Sequence, residues 1–152
     1  VYPKYNLAWD NTTRKSATAI KRQLNTMVEI GEKRLATAGK DISNPGTLGT
    51  LGMLLESSGV GARVELEKIP RPDTEEVPIS IAQWLKMYPG TGFVLTVEDA
   101  ERGAECINIF EDAGITASMV GEIDASMKLV IEDGAEKAMI FDLSKEIITG
   151  IK

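Results

Sequence analysis

The sequence predicts an α/β fold with a mixed sheet, and three observations support that fold class. The chain has 152 residues, the size of one ordinary domain with a sizeable core. Segments whose apolar residues recur at helical spacing are interspersed with short runs typical of strands. Two such runs near the C-terminal end flank Asp133-Gly134, a pair of residues typical of a β-hairpin turn. This mixed order with a hairpin favours helices packed on a mixed sheet.

The first predicted helix follows an extended or loop lead-in over residues 1–12. It runs from about Ser16, the predicted N-cap, to Ala38, and Gly39 is the residue predicted to stop it. One apolar stripe is expected to face the core, formed by Ile20, Leu24, Met27 and Val28.

The second predicted helix begins at Asn44 and Pro45. Asn44 is a good N-cap residue, and proline is favoured at the first helical position. The helix is expected to run to about Ser58 and to end at Gly59. Its inward-facing residues are predicted to be Leu48, Leu51 and Leu55.

The rest of the chain is predicted to alternate strands and helices. The continuous apolar run 93–97 is expected to be a strand buried on both faces, and the helix after it is expected to bury Ala100, Ala104, Ile107 and Phe110. The predicted elements are, in order, a strand over 62–69, an acidic proline-containing loop over 70–78, a short helix begun by a Ser80–Gln83 capping box, the strand 93–97, a helix over 99–113 ended by Gly114, a strand over 117–123, and hairpin strands over 128–132 and 137–142.

Composition excludes several kinds of site. The chain contains no His, so it cannot by itself form a Ser-His-Asp or Cys-His nucleophile system or a His-containing zinc or iron site. One Cys cannot form an internal disulfide, which fits a reducing, cytoplasmic compartment. A net charge of -6 argues weakly against a nucleic-acid partner. We expect no membrane partner, because no apolar run approaches the roughly 18 residues of a membrane span.

The charge is unevenly divided along the chain. Residues 1–40 contain 8 basic and 3 acidic side chains, whereas residues 41–152 contain 9 basic and 20 acidic ones. A basic segment can face an anionic ligand, but an exposed helix surface explains it more simply.

Three glycines spaced by three residues mark the predicted second helix. Each glycine inside a helix costs about 1 kcal/mol relative to alanine, so Gly46, Gly49 and Gly52 need a reason. Either another part of the chain packs closely there, or a ligand approaches closely. The helix start favours anions, and Asp41, Ser43 and Asn44 just before it could hold Mg²⁺ and phosphate oxygens. Capping explains the same three residues, and their spacing alone slightly favours it.

A family resemblance adds to this interpretation. Asp41-Ile42-Ser43, the glycine-spaced helix, residues 58–62 and Ile69-Pro70 resemble the C-terminal half of the aminoimidazole ribonucleotide (AIR) synthetase superfamily. Residues 92–97, 114–115 and 120–123 match its later motifs in order and spacing. The superfamily includes selenophosphate synthetase, thiamine-monophosphate kinase and the hydrogenase-maturation dehydratase. Residues 40–46 look most like the AIR-synthase-related proteins known as methanogenesis markers.

The resemblance implies a three-layer α/β/α sandwich, partly ferredoxin-like. It also implies that residues 1–152 form a single C-terminal-type domain whose N-terminal, ATP-binding half is absent from this chain. The full-length protein is then expected to be a homodimer that uses ATP and Mg²⁺. Asp41 corresponds to a magnesium ligand and Ser43 to a nucleotide contact, whereas Asn44 replaces an aspartate of the kinase-like members.

These observations predict a domain of an ATP-dependent enzyme that phosphorylates or activates an oxygen of a small substrate. Its partners would be that substrate and its own N-terminal domain, and the isolated chain is expected to be inactive. No catalytic residue is assigned. Asp41 is the predicted metal ligand, and the predicted phosphate and substrate contacts are Lys40, Ser43, Asn44, Gly46 and Thr47. The alternative is a non-catalytic binding or assembly module whose glycine face is a protein-binding surface.

Other conspicuous residues have simpler interpretations. The polar cluster over residues 10–15 could reach a substrate phosphate, but a loop at a helix start explains it more simply. Cys106 is interpreted as a small core residue and Trp9 and Trp84 as packing anchors. The acidic residues 73–76 are interpreted as a solvated loop, and those from Glu98 to Glu105 as favourable to a helix N-terminus.

Overall fold

A computed structural model describes residues 8–72 and 79–150 of the chain. Tyr2, Tyr5 and the acidic residues 73–76 therefore lie outside the described residues. The fold is α/β, as predicted. Its elements are β1 (Ala8–Trp9), α1 (Ala17–Glu32), β2 (Ala36–Asp41), α2 (Gly46–Ser58), β3 (Gly61–Glu65), a 3-10 helix (Leu66–Lys68), α3 (Ile81–Trp84), β4 (Tyr88–Pro89), β5 (Phe93–Val97), α4 (Ala100–Asp112), β6 (Gly121–Asp124), β7 (Lys128–Asp133) and β8 (Glu136–Asp142).

The largest sheet is mixed, which confirms the sequence prediction. It has four strands in the order β6-β3-β7-β8. Strand β3 runs parallel to β7, whereas the β3–β6 and β7–β8 pairs are antiparallel. The predicted hairpin is the β7–β8 pair, with Asp133 opposite Glu136. Two smaller sheets pair β2 with β5 and β1 with β4.

Helix α1 begins as predicted but ends earlier. The Ser16 side chain accepts a hydrogen bond from the Ala19 amide at 3.2 Å, so Ser16 is the N-cap. The prediction that the helix reaches Ala38 and stops at Gly39 is wrong, because α1 ends at Glu32 and residues 36–41 form β2. The backbone polar groups of β5 need a pairing partner, and β2 supplies it, with Gly39 opposite Leu95. A Cβ atom on residue 39 would lie 2.6 Å from Leu95 Cδ2, which is too close, so glycine suits this position.

The inward face of α1 is rotated relative to the predicted stripe. Leu24 and Val28 are 44% and 56% exposed, whereas Gln23, Thr26 and Ile30 are buried. The rotation follows from the position of α4, because Ile30 packs in one cluster with residues of that helix. The buried members of this cluster are Ile30, Leu35, Cys106, Ile109 and Phe110.

Helix α4 shows the same kind of correction. Asp99 is its N-cap and accepts a hydrogen bond from the Arg102 amide at 2.8 Å, and Gly114 follows its end with a φ of +75°. Ala100 and Ala104 are exposed, contrary to prediction, while Phe110 is buried as predicted. Cys106 is a core residue as predicted, and burial raises the pKa of its thiol.

A second core cluster fixes α2 against the mixed sheet. Its buried members are Leu51, Leu55, Ala62, Val64, Ile69, Leu129 and Leu143. Gly59 ends α2 with a φ of +67°, as predicted. The C-terminal segment is tied to the same helix by Glu56. The Thr149 hydroxyl and the amides of Thr149 and Ile148 donate to its carboxylate at 2.6–2.8 Å, and these bonds lower the pKa of Glu56.

Three strand predictions need adjustment. Strand β3 ends at Glu65, because the chain turns into the 3-10 helix. The strand predicted over 117–123 is regular over Gly121–Asp124. Strand β5 is partly exposed along its whole length rather than buried on both faces, since β2 is its one partner among the described strands. The short helix α3 is capped by Ser80, as predicted.

Within residues 8–72 and 79–150, no helix combines the length and the apolar character needed to cross a membrane.

Candidate functional site

The predicted site residues lie on the connection between β2 and α2. Asp41 is the last residue of β2 and pairs with Phe93. The Ile42 amide donates to the Gly92 carbonyl at 2.8 Å, which fixes the start of the connection. The Asp41 side chain is 66% exposed, and the Lys40 amine lies 3.6 Å from its Oδ1 atom. A carboxylate and a cation are therefore presented together at the end of the strand.

The start of α2 differs from the predicted cap. The N-cap position is Pro45, which makes no side-chain capping bond, so the predictions of Asn44 as N-cap and Pro45 as first helical residue are wrong. The Asn44 side chain is exposed. Gly46 has a φ of +71°, a conformation that favours glycine. This turn, rather than an Asn side chain, brings the chain into the helix.

Two amides at this helix start are already used within the chain. The Gly46 amide donates to the Ser43 carbonyl at 2.8 Å, and the Thr47 amide donates to the Leu85 carbonyl at 2.9 Å. The Ser43 amide donates to the Thr50 hydroxyl at 3.3 Å. In this arrangement these three amides are engaged within the chain and are not available to a phosphate.

The three spaced glycines are explained by packing within the chain. A Cβ atom on Gly46 would lie 2.2 Å from the Leu85 carbonyl oxygen. One on Gly49 would lie 2.5 Å from Pro45 Cβ, and one on Gly52 would lie within 2.9 Å of Phe141 and Ile148. All three glycines are buried. The glycine face is therefore covered by this chain, and its interpretation as a protein-binding surface is wrong.

Lys86 is a neighbour of this site that the sequence did not indicate. Its Cα atom lies 2.7 Å from the position of a Cβ on Gly46, and its side chain is exposed. The contact joins residues 40 positions apart, so no local pattern predicts it. It adds a second lysine beside the connection that carries Asp41.

The oxygen donors here fit a shared rather than a complete metal site. Asp41 offers a carboxylate, Ser43 a hydroxyl and Asn44 an amide oxygen, all suited to Mg²⁺. The described ranges contain no group of three or more His, Cys, Asp or Glu residues that could hold a metal ion. Mg²⁺ commonly keeps several waters and binds one or two carboxylates plus substrate phosphates. One carboxylate from this chain is compatible with that mode if phosphate and other ligands complete the sphere.

A large groove adjoins the site. It has a volume of about 860 Å³, and Ile42, Thr47 and Leu48 line it next to the predicted phosphate contacts. Further lining residues come from β3, β5, α4 and the segment 114–123. Apolar side chains such as Leu51, Phe93 and Val97 line the groove. A cleft with apolar walls and a few polar groups is the usual form of a small-molecule site.

The polar cluster over residues 10–15 forms a turn before α1. Asp10 Oδ1 accepts hydrogen bonds from the amides of Thr12 and Thr13 at 3.2 and 3.0 Å, and the Lys15 amide donates to the Thr12 carbonyl at 3.0 Å. This is the predicted helix-start loop. The rings of Trp9 and Trp84 pack edge to face with their centroids 5.3 Å apart, as expected of packing anchors.

The sequence matches one protein family over most of its length. The profile of the family described as AIR synthase related protein, C-terminal domain, matches residues 4–134. An uncharacterized protein from Methanocaldococcus jannaschii is 47% identical over 150 residues, which cover 99% of this chain and 45% of that protein. An uncharacterized protein from Synechocystis sp. is 29% identical over 150 residues, covering 97% of this chain and 44% of that protein.

Solved structures share the fold at low sequence identity. Phosphoribosylformylglycinamidine synthase II from Thermotoga maritima superposes with a TM-score of 0.70 at 16% identity, covering 86% of this chain and 22% of that one. The hydrogenase maturation protein HypE superposes with a TM-score of 0.63 at 15% identity, covering 82% and 43%. The chain thus spans less than half the length of each of these four proteins.

Proposed function

The chain belongs to the family of AIR synthase related proteins, as a C-terminal domain, and from this premise we propose that it is part of an ATP-dependent enzyme that phosphorylates or activates an oxygen atom of a small substrate. The observation that carries the proposal is the exposed Asp41 carboxylate at the end of β2, which lies beside the Lys40 amine and is followed two residues later by Ser43. Carboxylate, hydroxyl and ammonium groups are the side chains that hold magnesium and phosphate.

The similar proteins support the use of ATP. T. maritima PurL has been solved in complex with ATP, with ADP and with AMPPCP, and it shares the fold of this chain with TM-scores of 0.68–0.71. The same protein has been solved with FGAR. We propose that the full-length protein likewise binds a nucleotide and a small molecule.

Each site residue has a proposed role that follows from its position. Asp41 would help to hold Mg²⁺, which supplies charge neutralisation on phosphate when bound. The hydroxyls of Ser43 and Thr47 would donate to phosphate oxygens, since the Thr47 amide is engaged with Leu85. Lys40 would add positive charge. Asn44 could contribute its amide, and Gly46 shapes the turn that presents these side chains.

The remaining nucleotide and metal ligands are proposed to lie elsewhere in the full-length protein. The chain spans 45% of the M. jannaschii relative, which leaves room for the N-terminal ATP-binding domain that the resemblance implies. That domain would be the main partner of this chain, in a homodimer located in the cytoplasm. Phosphoryl transfer depends on positioning and charge neutralisation from several groups, so two domains that close over one site would suit it.

Calorimetry of the full-length protein tests the proposal. We expect Mg-ATP to bind, and we expect Asp41→Asn to weaken that binding by about tenfold or more, because a magnesium ligand loses its charge. Asp133→Asn, an equally simple change on the β7–β8 turn, is the matched control and should leave the affinity unchanged. Absent binding, or binding that is indifferent to Asp41→Asn, would favour the non-catalytic module instead.

A further inference from the structure

A second polar cluster lies on the wall of the groove, away from the β2–α2 connection. Lys15 is partly buried, and its amine donates to Gln23 Oε1 at 2.8 Å. Gln23 is 6% exposed. Among the residues that the structure describes, no carboxylate forms an ion pair with Lys15. The described partner of the Lys15 amine is therefore a neutral amide, and an anionic ligand would add a stronger, charge-assisted bond to the same amine.

Asn11 and Thr91 form the other half of this cluster. Asn11 Nδ2 donates to Thr91 Oγ1 at 2.9 Å, and Thr91 is 5% exposed. The second polar atom of the same amide, Asn11 Oδ1, is buried and has no hydrogen-bond partner among the described residues. Buried polar atoms are nearly always satisfied, so an orphaned acceptor indicates a missing donor.

The two pairs are held together by local structure. Asn11 and Lys15 belong to the same turn, which the bond from the Lys15 amide to the Thr12 carbonyl closes. The β1–β4 pairing precedes that turn, and the Asn11 amide bonds to Thr91, two residues after β4. All four residues line the groove of about 860 Å³. The Asp10 carboxylate accepts the amides of the same turn. Among the described residues, the groove therefore offers a cation without a carboxylate partner and an acceptor without a donor, together with apolar side chains such as Leu51, Phe93 and Val97. Charged side chains of other elements, Arg63, Glu98 and Glu122 among them, also line it.

We propose that this cluster, Lys15, Gln23, Asn11 and Thr91, binds the anionic group of a small organic molecule whose apolar part lies in the groove. Lys15 pairs with the carboxylate or phosphate of the ligand. Asn11 Oδ1 is buried in the unbound structure, so it accepts a hydrogen bond from an N–H or O–H of the same ligand once its amide turns toward the groove that Asn11 lines. The inference rests on the proposed function in one respect: it takes from it a small substrate distinct from the nucleotide, and it assigns the groove to that substrate.

Binding of simple anions to the full-length protein tests the inference. The probes are hippurate, which combines a ring, an N–H and a carboxylate, and phenyl phosphate, which replaces the carboxylate by phosphate. Methyl hippurate keeps the ring and the N–H but has no charge. We expect at least one anion to bind in a calorimetric or NMR titration, and methyl hippurate to bind about tenfold more weakly than hippurate if the carboxylate is preferred. Whichever anion binds tighter identifies the preferred group.

Variants of Lys15 separate a binding role from a structural one. Lys15→Met should weaken the binding of the preferred anion about tenfold or more, whereas Lys15→Arg should retain it. Lys21→Met, an exposed change on α1, is the matched control and should bind as wild type does. Mg-ATP affinity should be the same in Lys15→Met and wild type.

Several results would overturn the inference. They are failure of both anions to bind, binding that is indifferent to Lys15→Met, or an equal loss of Mg-ATP and anion binding in that variant. Its failure is distinguishable from failure of the proposed function. If Mg-ATP does not bind but an anion binds in a Lys15-dependent way, the inference stands and the ATP-dependent function does not.

Discussion

Gly46 combines a left-handed backbone with a neighbour that leaves no room for a side chain. Its φ is +71°, and the carbonyl oxygen of Leu85 lies 2.2 Å from where a Cβ would be. Gly59, at the other end of the same helix, has a similar φ of +67° but nothing within 4 Å of that position. The two glycines therefore separate backbone strain from steric conflict.

We expect Gly46→Ala to lower the free energy of unfolding by about 2–4 kcal/mol, because strain and overpacking add. Gly59→Ala should cost about 1–2 kcal/mol, since it carries the backbone term alone. Urea unfolding of the two variants measures both values. Equal losses would mean that the Leu85–Lys86 backbone can move away from α2 at little cost, and the packing explanation of Gly46 would be wrong.

Local rules succeed at single residues when the determining contact is close in sequence. Ser16, Ser80 and Asp99 cap helices because each side chain accepts from an amide three residues later, and this pattern is visible in the sequence. The sequence shows that a glycine at position 46 is unusual for a helix, but it does not show why glycine is required there. The segment that makes it necessary is about 40 positions away, and the same long-range contact engages the Thr47 amide.

Helix α1 shows what an apolar pattern can and cannot determine. Its sequence predicts a helix, yet the face that is buried depends on where α4 lies. Thr26 is buried and its hydroxyl donates to the Gln23 carbonyl at 2.7 Å, which satisfies a polar group on an inward face. Val28, in contrast, is 56% exposed. Hydrophobicity alone ranks these two residues in the wrong order.

Two alanine substitutions test the observed face of α1. Ile30 is 1% exposed and packs in the cluster shared with α4. We expect Ile30→Ala to lower the free energy of unfolding by about 2–4 kcal/mol, because the neighbouring side chains cannot fill the cavity it leaves. Val28→Ala should lose less than about 0.5–1 kcal/mol, since the side chain is mostly in water. Chemical denaturation of both variants is the measurement. A larger loss for Val28→Ala would restore the stripe that the sequence predicts.

Strand β2 was missed for a related reason at the scale of elements. Residues 36–41 contain Ala, Thr, Gly, Lys and Asp, which form a weak strand signal directly after a strong helix. The strand exists because the apolar run of β5 needs a partner, and its pairing places Asp41 opposite Phe93. Asp41 is thus proposed as a site residue from its motif, whereas the strand that positions it can be recognised only in the fold.

At the scale of the whole molecule, two core clusters enclose a groove rather than merging into one. One cluster joins α2 to the mixed sheet, and the other joins α1 and α4 to the β2–β5 pair. The β2–α2 connection, which carries Asp41, runs from the half of the molecule with the second core cluster to the half with the first. The polar residues Lys15, Gln23, Asn11 and Thr91 lie on the wall of the groove. The sequence predicts the mixed fold because the order of its elements requires it. It does not predict the groove, which depends on how two separately packed halves face each other.

This arrangement leads to an expectation about the isolated chain, which we expect to fold but not to turn over ATP. Its described residues offer one carboxylate at the proposed phosphate site and no cluster of three metal ligands, and its sequence has no His. Transfer of a phosphoryl group requires metal, phosphate and acceptor to be positioned together, which one such carboxylate cannot do.

Phosphate release by the 152-residue chain should stay at the buffer background, while the full-length protein with its substrate exceeds it by about a hundredfold or more. Circular dichroism of the same sample shows whether the chain is folded. Turnover by the folded chain that survives Asp41→Asn would place the chemistry outside the β2–α2 connection, and turnover abolished by that change would mean that this chain alone completes the site.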